Sequence, residues 1–226
     1  MHIALQEIDG SSNIGLYAHI TSKIILVGHT VPDTEKEKMQ EVLGLPTIEV
    51  SVAESNLIGA FLTSKGNTVI APNILTEEEK NILENTPHNI AYVDVTHNCL
   101  GNNIITTPNH SFINPDYSKK DTKTLRKAIG QNMTKKKIGG VKAVGTLVKT
   151  NIPRKRFVIT NTVTDEEFEE VQEKTGLKGT PTTVNMGSPY IHAGVLTSKN
   201  GVLVGENSGG PEVTQIDKGL GFVTNE

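Results

Sequence analysis

Short apolar runs separated by polar turns follow one order along the chain, and that order returns five times. The clearest copy begins at Asn56. Asn56-Leu57-Ile58-Gly59-Ala60-Phe61-Leu62-Thr63 reads as a strand, Ser64-Lys65-Gly66-Asn67 as a hairpin turn, and Thr68-Val69-Ile70-Ala71 as the returning strand. Pro72-Asn73 interrupts the run. Thr76 then stands where a helix cap belongs, Glu79 completes a capping box, and the acids of the first turn face the positive end of the helix dipole. The helix is expected to run to Asn85 with Ile82 and Leu83 inward, followed by a third strand over 88–95. The unit is strand, turn, strand, helix, strand.

The other copies keep this order. In the first, Ile24-Ile25-Leu26-Val27 is a strand, Thr34 with Glu37 is the expected cap, and Gly44 ends the helix. The third has Ser111-Phe112-Ile113, Ser118 with Asp121, and Gly130; the fourth has Phe157-Val158-Ile159, Thr164 with Glu167, and Gly176. The fifth has Gly201-Val202-Leu203-Val204 and a helix starting at Gly209-Gly210-Pro211-Glu212. Pro in the first helical turn and Gly just past the last are where backbone geometry favours them. Two landmarks keep the beat: Gly15, Gly59, Gly101, Gly145 and Gly194, and then Thr34, Thr76, Ser118, Thr164 and Ser208. A period in this range marks units too small to bury their own apolar faces, which therefore stack or close into a ring.

The ends of the array favour a ring. An open stack needs polar terminal units, yet the first and fifth copies are as apolar as the others. The fifth lacks a long third strand after Gly221, whereas His2 to Ile8 reads as a strand with no helix before it. The expected fold is a closed five-bladed α/β propeller with pseudo-fivefold symmetry, the N-terminal strand completing the last blade. As one propeller domain over 1–226, its units are approximately 10–51, 52–95, 96–138, 139–184, and 185–226 with 1–9.

Composition changes this picture little, except through charge. The core must be aliphatic, because Trp is absent and Phe and Tyr are few. The net charge of −3 hides an asymmetry: 13 of the 22 basic residues lie between Lys119 and Arg156, with Asp121 as the one acid there. That window steers a polyanion toward one side, or it is a lysine-rich solvated surface. The first residues have neither the basic start nor the long apolar core of a signal peptide, no run is long enough to span a membrane, and a lone Cys99 fits a reducing compartment, so a cytoplasmic protein is expected.

Candidate chemistry is sparse. Gly205-Glu206-Asn207-Ser208-Gly209-Gly210 lacks the Lys-Ser/Thr ending of a phosphate loop and reads as a tight turn into a helix. His97 and Cys99 would share one face of a strand, with Asp94 nearby, as in a thiolate pair; the plainer reading makes Cys99 a small buried filler. The seven histidines contain no helical His-x-x-x-His pair, so no metal site, cofactor or catalytic residue is expected. Amides and hydroxyls do gather beside the repeated glycine: Ser12-Asn13, Ser55-Asn56, Asn98, Asn102-Asn103, Thr146, and Asn185 with Ser188. They form a polar recognition face at one end of the ring, or they are turn residues bonding their own backbone.

Glu54-Ser55-Asn56-Leu57-Ile58-Gly59, Leu100-Gly101-Asn102, Asn185-Met186-Gly187-Ser188-Pro189-Tyr190, and Gly205 to Glu212, with the hairpin Thr197-Ser198-Lys199-Asn200-Gly201 between, resemble the translation initiation factor 6 family in its archaeal form. The resemblance covers essentially the whole chain. It implies a pentein-like propeller that binds the large ribosomal subunit, at 23S rRNA near the sarcin-ricin loop and at proteins uL14 and eL24. There it would sterically prevent association with the small subunit, as a monomer with no membrane partner. It implies Asn102 at or beside the ribosome-facing surface, with Asn13, Asn56, Ala60 and Thr146; Asn103, Lys149 and Tyr190 complete the candidate set. Ala60 stands where relatives can carry a larger polar or basic residue, and His192 lies in a stretch often made of small ones. From the basic window, Lys135, Lys136, Lys137, Arg154, Lys155 and Arg156 are candidate rRNA contacts. Chain length implies no regulatory tail after the fifth unit. The rival class is a pentein-like guanidine-modifying enzyme, whose nucleophilic Cys would be expected in the last blade, where this chain has none; a general RNA- or protein-binding module is the other alternative.

Overall fold

The computed structural model describes residues 2–223. Five three-stranded sheets form in chain order, each starting with an antiparallel hairpin. β1 (Ile3–Gln6) stands apart from the first of them. β2 (Ala18–Ile20), β3 (Ile25–Val27) and β4 (Thr47–Glu49) make one sheet; β5 (Thr63–Lys65), β6 (Thr68–Pro72) and β7 (Asn89–Val93) the next. β8 (Ile104–Thr106), β9 (Ser111–Ile113) and β10 (Met133–Lys135) make the third, and β11 (Val148–Asn151), β12 (Arg156–Thr160) and β13 (Lys178–Thr182) the fourth. β14 (Val195–Thr197) and β15 (Val202–Gly205) form the fifth, whose parallel third strand is β1, with Ile3 opposite Val202. The first strand therefore closes the last blade, as the two chain ends suggest.

A helix follows the second strand of each sheet: α1 (Asp33–Leu43), α2 (Glu77–Glu84), α3 (Lys119–Ile129), α4 (Asp165–Thr175) and α5 (Gly210–Gly219). In the first four sheets its return makes the third strand parallel to the second, the usual outcome of a helical crossover, and in the fifth β1 takes the same parallel place from the start of the chain. Thr76, Ser118 and Thr164 complete capping boxes with Glu79, Asp121 and Glu167, and Gly44, Gly130 and Gly176 end their helices at positive φ. The first helix departs from expectation. Pro32, not Thr34, occupies its cap position, so Glu35 rather than Glu37 is the acid in the third helical place. In the fifth blade the cap position is Gly209, one residue past Ser208.

The apolar core is divided into five clusters, and each is shared by consecutive blades. Leu196 and Leu203 of the fifth sheet pack with Ile25, Val27, Met39 and Leu43 of the first blade. Ile24 and Leu26 pack with Val69, Leu75 and Leu83 of the second, and Ile70 and Val93 with Ile113, Leu125 and Ile129 of the third. Ile105 and Phe112 join the fourth blade's Phe157 and Val171, and Val158 joins the fifth blade's Val202, Val204 and Ile216. A lone unit would leave one wall of its core in water, so the blades stand or fall together.

At the axis the sequence pattern misleads. Ile58–Phe61 and Leu100–Asn103 are one-turn helices, not strand, as is Ile191–Gly194; Ile14–Leu16 and Val144–Leu147 are tighter 3-10 turns. These five turns touch one another in succession, the last meeting the first. A Cβ on Gly59 would lie 1.9 Å from the Gly15 carbonyl oxygen, one on Gly101 2.0 Å from that of Gly59, and one on Gly145 2.1 Å from that of Gly101. Gly15 closes the circle against the His192 carbonyl at 1.9 Å. The glycines are there because backbone packs directly on backbone. The fifth member of the series is His192, which follows the buried Ile191 as Gly15, Gly59, Gly101 and Gly145 follow Ile14, Ile58, Leu100 and Val144; Gly194 packs instead against Val184.

Candidate functional site

The residue before each axial turn has one backbone conformation in all five blades. Asn13, Leu57, Cys99, Ala143 and Tyr190 have φ between −76° and −87° and ψ between 52° and 74°. They form a ring around the axis at the end where the third strands arrive, opposite the hairpins. The loops carrying them are turned tightly: Ile8 bridges to Ser11, Val52 to Ser55, Ile138 to Val141 and Val184 to Ser188. Asp9-Gly10, Ala53-Glu54 and Gly139-Gly140 take positive φ inside three of these turns, and Asn185-Met186-Gly187 in a fourth. Ala53 and Glu54 carry a Cβ there, at a cost of roughly 1–2 kcal/mol each.

A repeated carboxylate holds these loops. Glu79 accepts from the backbone N–H of Ala53 (3.0 Å) and Glu54 (2.8 Å) as well as from Thr76 at its own helix start (2.9 Å). Glu212 accepts from Met186 (3.1 Å), Gly187 (2.9 Å) and Gly209 (2.9 Å), and Glu167 from Gly139 (3.1 Å). Asp121 accepts from the Thr96 hydroxyl at 2.9 Å, and Glu35 lies near the Asp9 backbone. Burial alone would raise the Glu79 and Glu212 carboxyls, but the converging N–H and hydroxyl donors outweigh it and hold both below the ordinary value. Glu35, with Glu7 and Asp9 close by, is raised, first by burial.

The loop serines belong to this local frame. Ser11, Ser55 and Ser188 accept from the N–H two residues on, that of Asn13, Leu57 and Tyr190. For them the turn reading holds. The side chains they present are another matter: Tyr190 is 49% exposed, Leu57 37% and Met186 83%, beside the exposed Asn13, whose Oδ1 accepts from Asn185 Nδ2 at 3.4 Å. Asn56 is half-buried, its backbone against Gly28. Apolar and aromatic surface at a rigid, polar-rimmed end has the composition of a protein-docking patch.

The sequence model of the eIF-6 family matches residues 3–219. The chain belongs to that family. It is 30% identical to translation initiation factor 6 of Pyrococcus horikoshii over 99% of this chain and all of that one. It is 28% identical to translation initiation factor 6 of Haloquadratum walsbyi, over 95% and 94%, and 27% identical to that of Saccharolobus islandicus, over 98% and all of it. Among solved structures, a dimethylarginine dimethylaminohydrolase adduct aligns with 92% of this chain and 74% of its own at a TM-score of 0.49 and 10% identity. Agmatine deiminase from C. jejuni aligns with 55% and 50% at 0.44 and 12%.

Within this eIF-6 family chain, the candidate residues separate into groups. Ala60, Asn102 and Thr146 hold one equivalent position, second after the buried residue of their axial turns. Ala60 is 4% exposed, which removes it from any outer surface. Asn103 is also buried, donating to the Cys99 carbonyl at 2.8 Å and accepting from Asn114 at 2.6 Å, so it braces its blade instead of meeting a partner. Thr146 donates to the Ala143 carbonyl at 2.6 Å. Asn102 is half-buried with its Oδ1 enclosed and unpartnered. Lys149 lines a cavity on the hairpin side of the axial ring, away from Asn13 and Tyr190.

The basic candidates are partly committed within the fold. Lys135 donates to the Tyr117 carbonyl and Lys136 pairs with Glu170. Arg154 donates to the carbonyls of Gly221 (2.8 Å) and Lys199 (3.1 Å) and lies 4.1 Å over the Phe222 ring. Lys137 and Lys155 are exposed, and Arg156 is half-buried against Gly221. The free positive face lies elsewhere in the same window: Lys119, Lys120, Lys123, Arg126 and Lys127 project from α3 into solvent. The thiolate pair is not built. His97 and Cys99 are not on a strand, the Cys99 thiol is raised by burial, and His97 packs edge-on to Tyr117 at 5.3 Å. The sequence reading missed Leu57 and Met186, whose signal was the place they share with Asn13 and Tyr190 beside the axial turns.

Proposed function

We propose that this chain is a translation initiation factor that binds the large ribosomal subunit through the loop end of its propeller and blocks joining of the small subunit. The observation that carries the reading is the eIF-6 family match over residues 3–219, together with relatives of nearly equal length named translation initiation factor 6. The work is steric: a rigid disc fills volume the second subunit needs, and outcompeting it requires affinity and no transition state. The five-core construction supports that rigidity, since no blade can yield alone. The docking surface is Asn13, Asn56, Leu57, Met186 and Tyr190, with the half-buried Asn102 beside the axis. Ribosomal protein, on this reading uL14 and eL24, meets the apolar side chains, while the basic α3 face draws the factor toward rRNA phosphates around the sarcin-ricin loop. The factor acts as a cytoplasmic monomer without catalysis.

The test is sedimentation of the purified chain with separated archaeal subunits at two salt concentrations, followed by a subunit-joining assay. Comigration with the large subunit alone and reduced joining support the reading. Absence of binding to the large subunit at both salts sinks it.

A further inference from the structure

The hairpin end of the axis opens into a cavity of about 350 Å³, walled by the innermost strands of all five sheets and floored by Gly101, Gly145 and His192 of the axial ring. Its size is at the lower end of the ~300–1,000 Å³ typical of small-molecule sites. Leu62, Ile104, Val148 and Ile152 give it apolar walls. Three titratable side chains line the interior: Lys149, His19 and His192. Among the described residues no carboxylate lines it, and Lys149 has neither an ion pair nor a hydrogen-bond partner.

Other polar groups there are also left over. His19 Nε2 and Asn151 Oδ1 are enclosed without partners. His192 Nε2 lies 3.1 Å from the Gly59 carbonyl, which can only accept, so that nitrogen carries the proton. The half-buried Lys149 therefore faces the cavity as a cation without a counter-charge. A ligand anion in the cavity supplies that counter-charge.

We propose that this cavity binds a small monocarboxylate, its carboxylate paired with Lys149 Nζ, its short hydrocarbon body against the apolar walls. Charge selects a monoanion. Burial, then Lys149, then His88 lower His19 to about 3, and burial followed by Lys149 lowers His192 to about 3, so both imidazoles are neutral at pH 7. Lys149, lowered by burial to about 8, supplies the one interior cation. Lys199 stands at the mouth, and His88 and Lys23 lie behind His19. A dianion such as phosphate would leave excess negative charge against the apolar walls. The site is independent of the ribosomal reading, since it lies on the other side of the axial ring from the docking surface.

The experiment titrates the full chain, dialysed into chloride buffer at pH 7, with butyrate, acetate and inorganic phosphate while NMR follows the Lys149 ε-methylene. Expected are a saturable shift with butyrate, weaker binding of acetate, none of phosphate, and a Lys149 titration midpoint at least one unit higher in the complex. Lys149→Met should abolish the binding and fold as the parent does, because among the described residues Lys149 makes no ion pair or hydrogen bond that the fold would lose. No saturable shift with either carboxylate, unchanged binding in Lys149→Met, or tighter binding of phosphate would each overturn the proposal. The shift is read on the unsubstituted protein, so a variant that fails to fold leaves the decision intact.

Discussion

The two ends of the propeller axis are built from the same five-fold backbone and do opposite things with it. At the loop end, equivalent positions carry Asn13, Leu57, Cys99, Ala143 and Tyr190, and their differences are displayed to solvent on turns locked by buried carboxylates. At the hairpin end, the side chains that break symmetry, His19, Lys149 and His192, line an open-mouthed cavity. Between them is a ring where three successive glycine contacts leave no room for a methyl group. Symmetry in the backbone thus makes a stiff frame, and asymmetry in the side chains gives each end its own recognition chemistry.

The comparison breaks most completely at the ring. Gly101→Ala drives a Cβ to 2.0 Å from a backbone oxygen that cannot move alone. The expected loss is about 4 kcal/mol or more, read as insoluble protein or a collapsed urea midpoint. His192→Gly, which gives the fifth turn the residue of the other four, should still unfold cooperatively in the same assay.

The loop end alone is loosened by Glu79→Ala. It orphans the N–H groups of Ala53 and Glu54 and frees two left-handed residues, for an expected loss of about 2–3 kcal/mol by urea unfolding. Ribosome binding should weaken with it, whereas carboxylate binding in the cavity should not.

The hairpin end is sharpened by pH. His19 and His192 have folded-state values near 3 against 6.5 in the unfolded chain, so the unfolded state takes up protons first. Their contribution is full above about pH 6.5 and declines as pH falls toward 3. Between pH 7 and pH 5 each histidine should remove up to about 2 kcal/mol, less where water reaches the ring. Urea midpoints at the two pH values measure it, and His19→Gln should flatten the difference.

The smallest effect on stability is expected on α3. Reversing Lys120, Lys123 and Lys127 to Glu should change the unfolding free energy by less than about 0.5 kcal/mol, since these side chains are exposed. Association with the large subunit should slow and lose much of its salt dependence.

What the sequence made legible was what neighbouring residues decide among themselves. Thr76 with Glu79, Ser118 with Asp121 and Thr164 with Glu167 are boxes closed within four residues, and they appear as read. Thr34 was misassigned because Asp33, Glu35 and Glu37 all offered an acid, and the choice of Glu35 depends on Asp9, far along the chain. The stretch around Gly59 read as a strand from its apolar run. It is a turn because its glycine must accept the Gly15 backbone, a contact no local pattern contains. Gly194 kept the rhythm of the glycines, yet the axial place belongs to His192. Lysines could be counted but not oriented: Lys149 faces a cavity, Lys136 meets Glu170 and Lys123 meets water, all from one basic window.

The decisive measurement is subunit joining with Leu57→Asp/Tyr190→Ala beside Lys149→Met. The account predicts that the unsubstituted chain pellets with the large subunit and suppresses joining, that Lys149→Met does the same, and that the loop-end variant binds at least tenfold more weakly while remaining folded. Full activity in the loop-end variant, with loss in Lys149→Met, would put the docking surface at the other end and contradict it.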